Sequence, residues 1–581
     1  MKQLLHARLG NRGILLLVLS LLLSRLAAAQ GPTWQSAVGV LSNAGSDQGA
    51  NVNVATDANG NVYLTGMFLG SITFGSTTLT SVGSSDVYVA KWSPATASFV
   101  WAQRAGGAGS EDARAIAIVG SNIYVAGTFN SASASFGTTT LANNTSSGMS
   151  SDMFVAKLTD AGSTASFTWV QRVGGPGTDE AFNLAASGPN IYLTGYFESA
   201  QLSFGSTTLV NAGSFDALLG KLVDQGSTCT LAWAQRAGGS GSDEPYALAV
   251  SGSTVYWAGS FSSSTLALGS STLPNAGSYD GFVAKVNDAG STSSVAWAQQ
   301  VGGPGLDGIA SLAVSGSAVY IGGAFSNSMA LGSGLLTSAG GSDVYVARLT
   351  DAGSSASVAW AQQAGGPYND YAYALAVRGP EMYLAGHFGA TTAVPAPTAT
   401  FGSTTLTSAG NSDIFLTRLT DQGTSASFAW AQRGGGNSAD LAYTVALGGT
   451  NVYVGGSFLG NRAAFGSASI SNSSGVEAGY LAILSDPVLA AASPAVLAGL
   501  AVYPNPAHGQ ATVQLLAVAG AAQASFTLID ALGRRVRASA GVALPAAGLF
   551  YDLPLAGLVP GVYLLRVQVG GAVATHRLVV E

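Results

Sequence analysis

Along most of the chain, short β-prone runs rich in Val, Ile, Leu, Tyr and Phe are separated by clusters of Gly, Ser, Asn and Asp. Ala372–Val377 alternates small and large residues with period two, and Val62–Phe68 and Ser85–Lys91 are runs of the same length class. This pattern predicts strands. Asn59-Gly60 between two runs fits a type I′ hairpin turn. A second turn signal, Asp-x-Gly, recurs at Asp160–Gly162, Asp224–Gly226 and Asp351–Gly353.

The runs repeat as a unit of four. Trp34, Trp101, Trp169, Trp233, Trp297, Trp360 and Trp430 recur at spacings of 67, 68, 64, 64, 63 and 70 residues. Between them come Tyr63, Tyr124, Tyr192, Tyr256, Tyr320, Tyr383 and Tyr453, and then Asp86, Asp152, Asp216, Asp280, Asp343 and Asp413. In the last copy Ala478 takes the Asp place and Ile483 the Lys place. Four-stranded units repeated around an axis make a β-propeller. The series opens on a Trp run, Pro32–Val38, without partners before it, and ends at Tyr480–Leu484 without a Trp run after it. The expected fold is therefore all-β: a seven-bladed propeller over 30–486, closed when the N-terminal strand completes the last blade.

These repeats resemble the SBBP-type bacterial β-propeller repeat, whose D-x-A-x-x-I-A-V, N-V-Y-V-T-G and D-x-F-V-A-K-L elements appear at Asp112–Val119, Asn61–Gly66 and Asp152–Leu158. The family's D-x-x-G-N turn survives only at Asp57–Asn61, and later copies use a shorter Gly-Ser or Gly-Pro turn. After Asp486 an Ala/Pro/Leu linker (487–498) leads to a tail, 499–581, with strands expected at Ala511–Leu516, Ser525–Asp530, Gly561–Gln568 and Thr575–Val580. That number suits a small β-sandwich. The tail's landmarks are Tyr503-Pro504-Asn505-Pro506, Asp530 with Gly533, Gly561 with Tyr563, and Arg577 in the terminal Arg-Leu-Val-Val. In this order they are similar to the type A C-terminal sorting domain of type IX secretion cargo, with Arg577 where Lys is usual. The resemblance implies an interaction with the type IX machinery, export across the outer membrane, and either anchoring at the cell surface or release.

Composition narrows the class. Of 581 residues, 47% are hydrophobic and only 9% charged, with 78 glycines and a mean hydropathy of +0.34, which excludes a disordered chain. Glycine lacks the every-third-residue period of collagen. The one long apolar run, Ile14–Leu23, is about half of what a membrane-spanning helix needs. Preceded by Lys2, Arg8 and Arg12 and followed by Ala27-Ala28-Ala29, it reads as the core of a signal peptide, 1–29. Its removal leaves 18 Lys and Arg against 29 Asp and Glu, and the deficit lies in the repeats. Nucleic acid is therefore not an expected partner. The single cysteine, Cys229, excludes an intrachain disulfide and reads as a small apolar filler.

Catalytic material is scarce. His387 is the only histidine of the repeats and occupies a slot filled elsewhere by Met67, Thr128, Tyr196, Ser260, Ala324 and Ser457, so it reads as a surface residue. The Gly-Gly-x-Gly-x-Asp turns place Asp47, Glu111, Asp179, Asp243, Asp307, Asp370 and Asp440 at the start of each first strand. Such an acidic ring at the channel mouth would suit calcium or an acid/base pair for glycoside chemistry. Alternatively each acid caps its own turn, which is the expectation because every repeat has it. Asymmetry marks the better ligand site. A longer loop, Gly389–Thr400, lies near Tyr368 and Tyr371, which are the candidate ligand contacts, while Tyr373 matches Phe182, Tyr246 and Tyr443 and reads as packing between blades. The expectation is a monomeric, secreted or surface-anchored, non-catalytic binding or structural module that needs no cofactor, with a glycan or protein ligand on its loops. Two alternatives stay open: a lyase or glycosidase using the channel-mouth carboxylates, and a protein–protein interaction scaffold.

Overall fold

A computed structural model describes residues 32–42, 52–145, 150–390, 396–491, 500–515, 523–530, 534–545, 548–569 and 572–581. The expected signal peptide, Asp47, Gly533 and most of the linker lie outside these residues. The chain divides into two compact units, Met1–Ala490 and Ala491–Glu581.

In the larger unit the β-prone runs pair antiparallel into seven four-stranded arrays among the described residues. One of them consists of Glu111–Val119, Asn122–Phe129, Asp152–Asp160 and Ala165–Val173, in that spatial order. The first strands touch one another in a closed cycle, with Asp440–Gly448 returning to Asn53–Thr56. The arrays are thus blades around a common centre, and each third strand is almost wholly buried between neighbouring blades. Thr33–Val40 supplies the fourth strand of the last blade, antiparallel to Ala478–Ser485 with Trp34 opposite Leu484. One sheet therefore joins the first described strand to the last three of the repeat series.

Each repeat contains more than the four expected strands. A hairpin such as Ser133–Phe136 with Thr139–Ala142 sits between the second and third strands. Its Phe136 packs on Phe154 and Phe167 at ring distances of 4.9 and 5.6 Å. Its first strand pairs with the outer strand of the preceding blade, Phe136 opposite Ala105. The same cross-blade pairing joins Leu268 to Ala237 and Phe465 to Gly434. This approach explains the Gly-Gly motif. A Cβ on Gly107 would stand 2.2 Å from the Ser133 carbonyl oxygen of the hairpin, and one on Gly106 would stand 2.4 Å from Asp86 Oδ1.

The acids of these turns are buried caps. Asp179, Asp243, Asp307, Asp370 and Asp440 accept hydrogen bonds from the amides of Gly175, Gly239, Gly303, Gly366 and Gly436 at 2.6–2.8 Å, as Glu111 does from Gly107. Burial pushes their carboxyls up against the pull of those amides, to about 6 for Asp179, Asp243 and Asp307. Asp370 and Asp440 reach about 8, again chiefly through burial, to which the neighbouring Asp343 and Asp413 add.

A second repeated carboxylate joins blades. Asp224 accepts from Lys157 Nζ at 2.6 Å, Tyr124 Oη at 2.8 Å and Trp169 Nε1 at 3.0 Å, all on the preceding blade, and from its own Gly226 amide at 2.9 Å. The Trp, Tyr, Lys and Asp-x-Gly recurrences of the sequence are the parts of this one joint. It recurs at Asp160, Asp288 and Asp351 with Lys91, Lys221 and Lys285, and at Asp421 and Asp486 with Arg348 and Arg418. Burial alone would raise Asp160, Asp224, Asp288 and Asp351, but the hydrogen bonds that converge on them, from lysine first, outweigh it, and Asp351 falls to about 2.

Two predictions follow from these carboxylates. Asp224 and Lys157 are both nearly buried, at 7% and 6% side-chain exposure. Asp224→Ala should therefore cost about 3–5 kcal/mol by leaving the ammonium unpaired. All nine tryptophans lie in this unit, so tryptophan fluorescence in a urea titration reads it directly. A cost under about 1 kcal/mol, as for exposed pairs, would refute a buried clamp. The raised caps act in the opposite direction with pH. The folded state keeps protons that the unfolded chain releases near pH 4, so their contribution is full below that pH and is lost as pH rises through about 6 to 8. The thermal midpoint should be higher at pH 5 than at pH 8, and an Asp370→Asn/Asp440→Asn double variant should flatten that slope. An unchanged slope would mean the caps are ionised in the fold.

Candidate functional site

The first strands share an irregularity. Each of six breaks register against its second strand: at Ala113/Ala115, Ala181/Asn183, Pro245/Ala247, Ile309/Ser311, Ala372/Ala374 and Ala442/Thr444. The extra residues are Arg114, Phe182, Tyr246, Ala310, Tyr373 and Tyr443. A bulge re-aims its side chain out of the pleat. All six line a central cavity of about 770 Å³, bounded by the first strands of every blade. That volume lies within the range of small-molecule sites.

The lining is aromatic and uneven. Phe182 meets Tyr246 edge-on at 5.3 Å, and Tyr373 lies 6.1 Å from Tyr443 of the next blade. Tyr371 and Tyr373 hold parallel rings 6.2 Å apart, with His387 tilted against both at 5.3 and 5.5 Å. Arg114 donates to Asp112 at 2.9 Å and Glu180 at 2.7 Å and lies over the Phe182 ring. Tyr246 donates its hydroxyl to Glu244.

The expected site residues separate in this geometry. Tyr371 lines the cavity, whereas Tyr368, in the preceding turn, is outside the lining. Tyr373 packs between blades and also faces the cavity. His387 is not a surface residue: its Nδ1 is buried without a hydrogen-bond partner, and burial lowers its pKa to about 4. Of the other residues in its slot, Ser260 and Ala324 line the cavity. Of the described acid series only Asp307 is among the lining residues, and all are turn caps. The bulges gave no signal in the sequence beyond the irregular size of residues at their position. Cys229 is half-buried and its thiol is pushed up to about 12 by burial and then by Asp224. Among the described residues no group of three or more His, Cys, Asp or Glu side chains is placed to hold a metal ion.

The smaller unit carries the second set of motifs. Ala501–Tyr503, Gln510–Leu515 and Leu549–Pro554 form one sheet, and Gln523–Ile529, Arg535–Ala543, Gly561–Val569 and Ala572–Val580 form the other. Three of these strands were not expected. Arg535–Ala543 mixes arginines with small residues and Ala501–Tyr503 is only three residues long, so neither shows a clear two-residue period. The core between the sheets includes Val513, Phe526, Leu528, Leu565, Val567 and Leu578. Asn505, between Pro504 and Pro506, donates to the Arg577 carbonyl at 2.8 Å and accepts from the Val579 amide at 2.9 Å, so Tyr-Pro-Asn-Pro latches the terminal strand. Asp530 closes its turn through the Arg534 amide at 2.9 Å, and Tyr563 donates to the Val559 carbonyl at 2.7 Å. Gly561 opens the strand that pairs with the terminal one, Gly561 opposite Val580. Tyr503 and Arg577 are exposed.

Among the described residues no helix is long and apolar enough to cross a membrane. No curated protein matches the chain. Among solved structures, PorZ, an essential bacterial surface component of the type-IX secretion system of Porphyromonas gingivalis, is similar at 13% identity over 92% of this chain and 82% of its own, with a TM-score of 0.21. A family PL25 ulvan lyase is similar at 11% identity over 72% of this chain and 93% of its own, with a TM-score of 0.35. The hemagglutinin-neuraminidase of parainfluenza virus 5 is similar at 9% identity over 70% and 95%, with a TM-score of 0.29. Likenesses this distant bear on neither ligand nor activity. The tail is different in kind, because residues 501–581 match the model of a secretion system C-terminal sorting domain. With its latch, turn and terminal strand in place, this unit is a type IX secretion sorting domain, and the protein is one delivered to the cell surface or beyond it.

Proposed function

We propose that the protein is an exported, non-catalytic binding module that takes a ligand in the central cavity of its propeller. The observation supporting this is the set of six bulges that turn Arg114, Phe182, Tyr246, Ala310, Tyr373 and Tyr443 toward one space. The residues that hold the ring recur at six junctions, with Arg for Lys at two of them. The bulged residues differ. The repeated acids that an enzyme would draw on are occupied as turn caps and blade joints. Aromatic walls with scattered hydroxyls suit the faces of sugar rings.

A glycan array probed with the mature full-length chain, with and without calcium, tests this reading. Saturable binding should weaken roughly tenfold or more in a Tyr373→Ala/Tyr443→Ala variant, since each aromatic contact is worth about 0.5–1.5 kcal/mol beyond its buried area. Binding unaffected by that variant would move the site out of the cavity, and release of cleaved product would overturn the non-catalytic role. Export is tested separately. A chain ending at Ala491 should be absent from the surface and medium of a host with the type IX system and accumulate in the periplasm. Its surface display would refute the tail as the address.

A further inference from the structure

The residue after each turn cap breaks the symmetry of the ring. It is Asp112, Glu180 and Glu244 in three consecutive blades, then Gly308, Tyr371 and Leu441. Of these, Glu244, Gly308 and Tyr371 line the cavity, so a carboxylate stands on one arc and an aromatic ring on the other. Arg114 is the one cation among the described lining residues, and Asp112 and Glu180 both hold it. Glu244 stands beyond that triad with the Tyr246 hydroxyl as its neighbour, and the Tyr246 and Phe182 rings meet beside it. Among the described residues no cation pairs with Glu244, so the wall carries an uncompensated carboxylate beside π faces, which attracts a cation and repels uronates, sulfates and phosphates.

The far arc has other chemistry. Tyr371, Tyr373 and Tyr443 present aromatic surface and phenol hydroxyls. A ligand with an ammonium group at one end and hydroxylated rings along its body meets both arcs.

We propose that the cavity selects a protonated amine on a sugar, so that its ligand is a short amino-sugar oligomer, with Glu244 the residue that sets the preference. This rests on the cavity being the binding site. Titration calorimetry of the mature full-length chain with a glucosamine trimer, an N-acetylglucosamine trimer, a galacturonate trimer and trilysine tests it. The glucosamine trimer should bind at least tenfold tighter than its acetylated counterpart and the galacturonate should not bind. Glu244→Gln should lower the glucosamine trimer to the affinity of its acetylated counterpart, and an unchanged thermal midpoint shows that the variant folds. Tyr373→Ala/Tyr443→Ala should weaken both. Equal or tighter binding of the acetylated or galacturonate trimer overturns the inference and leaves the binding module standing. A glucosamine preference that survives Glu244→Gln removes Glu244 from its role. Trilysine binding tighter than the glucosamine trimer makes the ligand a basic peptide instead, and no binding by any probe overturns the cavity as the site.

Discussion

The propeller depends on a carboxylate that each blade lends to the blade before it. In a chain with 9% charged residues, six aspartates and six cations meet in pairs at successive joints. Each aspartate also collects a tyrosine hydroxyl and an indole N–H. A buried ion pair is weak evidence of net stability, but it is demanding in geometry. The four donors converge only when neighbouring blades stand at one angle and one height. The joint therefore fixes how blades stack, while the apolar clusters between third strands supply the driving force. The hairpins add a second seam along the outer edge, paired to the strand whose glycines admit them.

The seventh junction lacks the joint. Ile483 stands in place of the lysine, Pro94 in place of the aspartate, and Trp34 Nε1 is buried without a partner. All three losses fall where the last blade meets the first. Side-chain bonds between first strands stand there instead: the Val54 amide donates to Thr444 and Thr56 donates to the Leu447 carbonyl. The one junction without the ionic clamp is also the one at which the two ends of the repeat series meet.

Recurrence made the blades legible, because any residue needed at every junction repeats at the period of the fold. The Trp, Tyr, Lys and Asp series could be read as one pattern long before they could be read as one joint, since the aspartate serves the blade before its own. The orphan Trp34 strand could be placed because the last unit lacked its complement. The hairpins were missed because Phe136-Gly137 and its counterparts look like a turn following a strand, and their four-residue strands are too short to show a period. His387 was misread for a related reason. A position that accepts Met, Thr, Tyr, Ser, Ala and His suggests solvent, yet His387 packs against two tyrosine rings with its Nδ1 buried.

Symmetry and function are separated in this chain by which side chains the fold has already used. The caps at Asp370 and Asp440, the joints at Asp224 and Asp288, and the paired glycines repeat because each blade needs them. Once those are set aside, the first strands still differ at the bulge and at the residue two before it, among other positions. At the bulge the ring reads Arg, Phe, Tyr, Ala, Tyr, Tyr, and at the other position Asp, Glu, Glu, Gly, Tyr, Leu. The bulged side chains all line the cavity. The residues that join and cap the blades repeat because the frame uses them, and those at the bulges are free to vary because it does not; the proposed binding role rests on that difference.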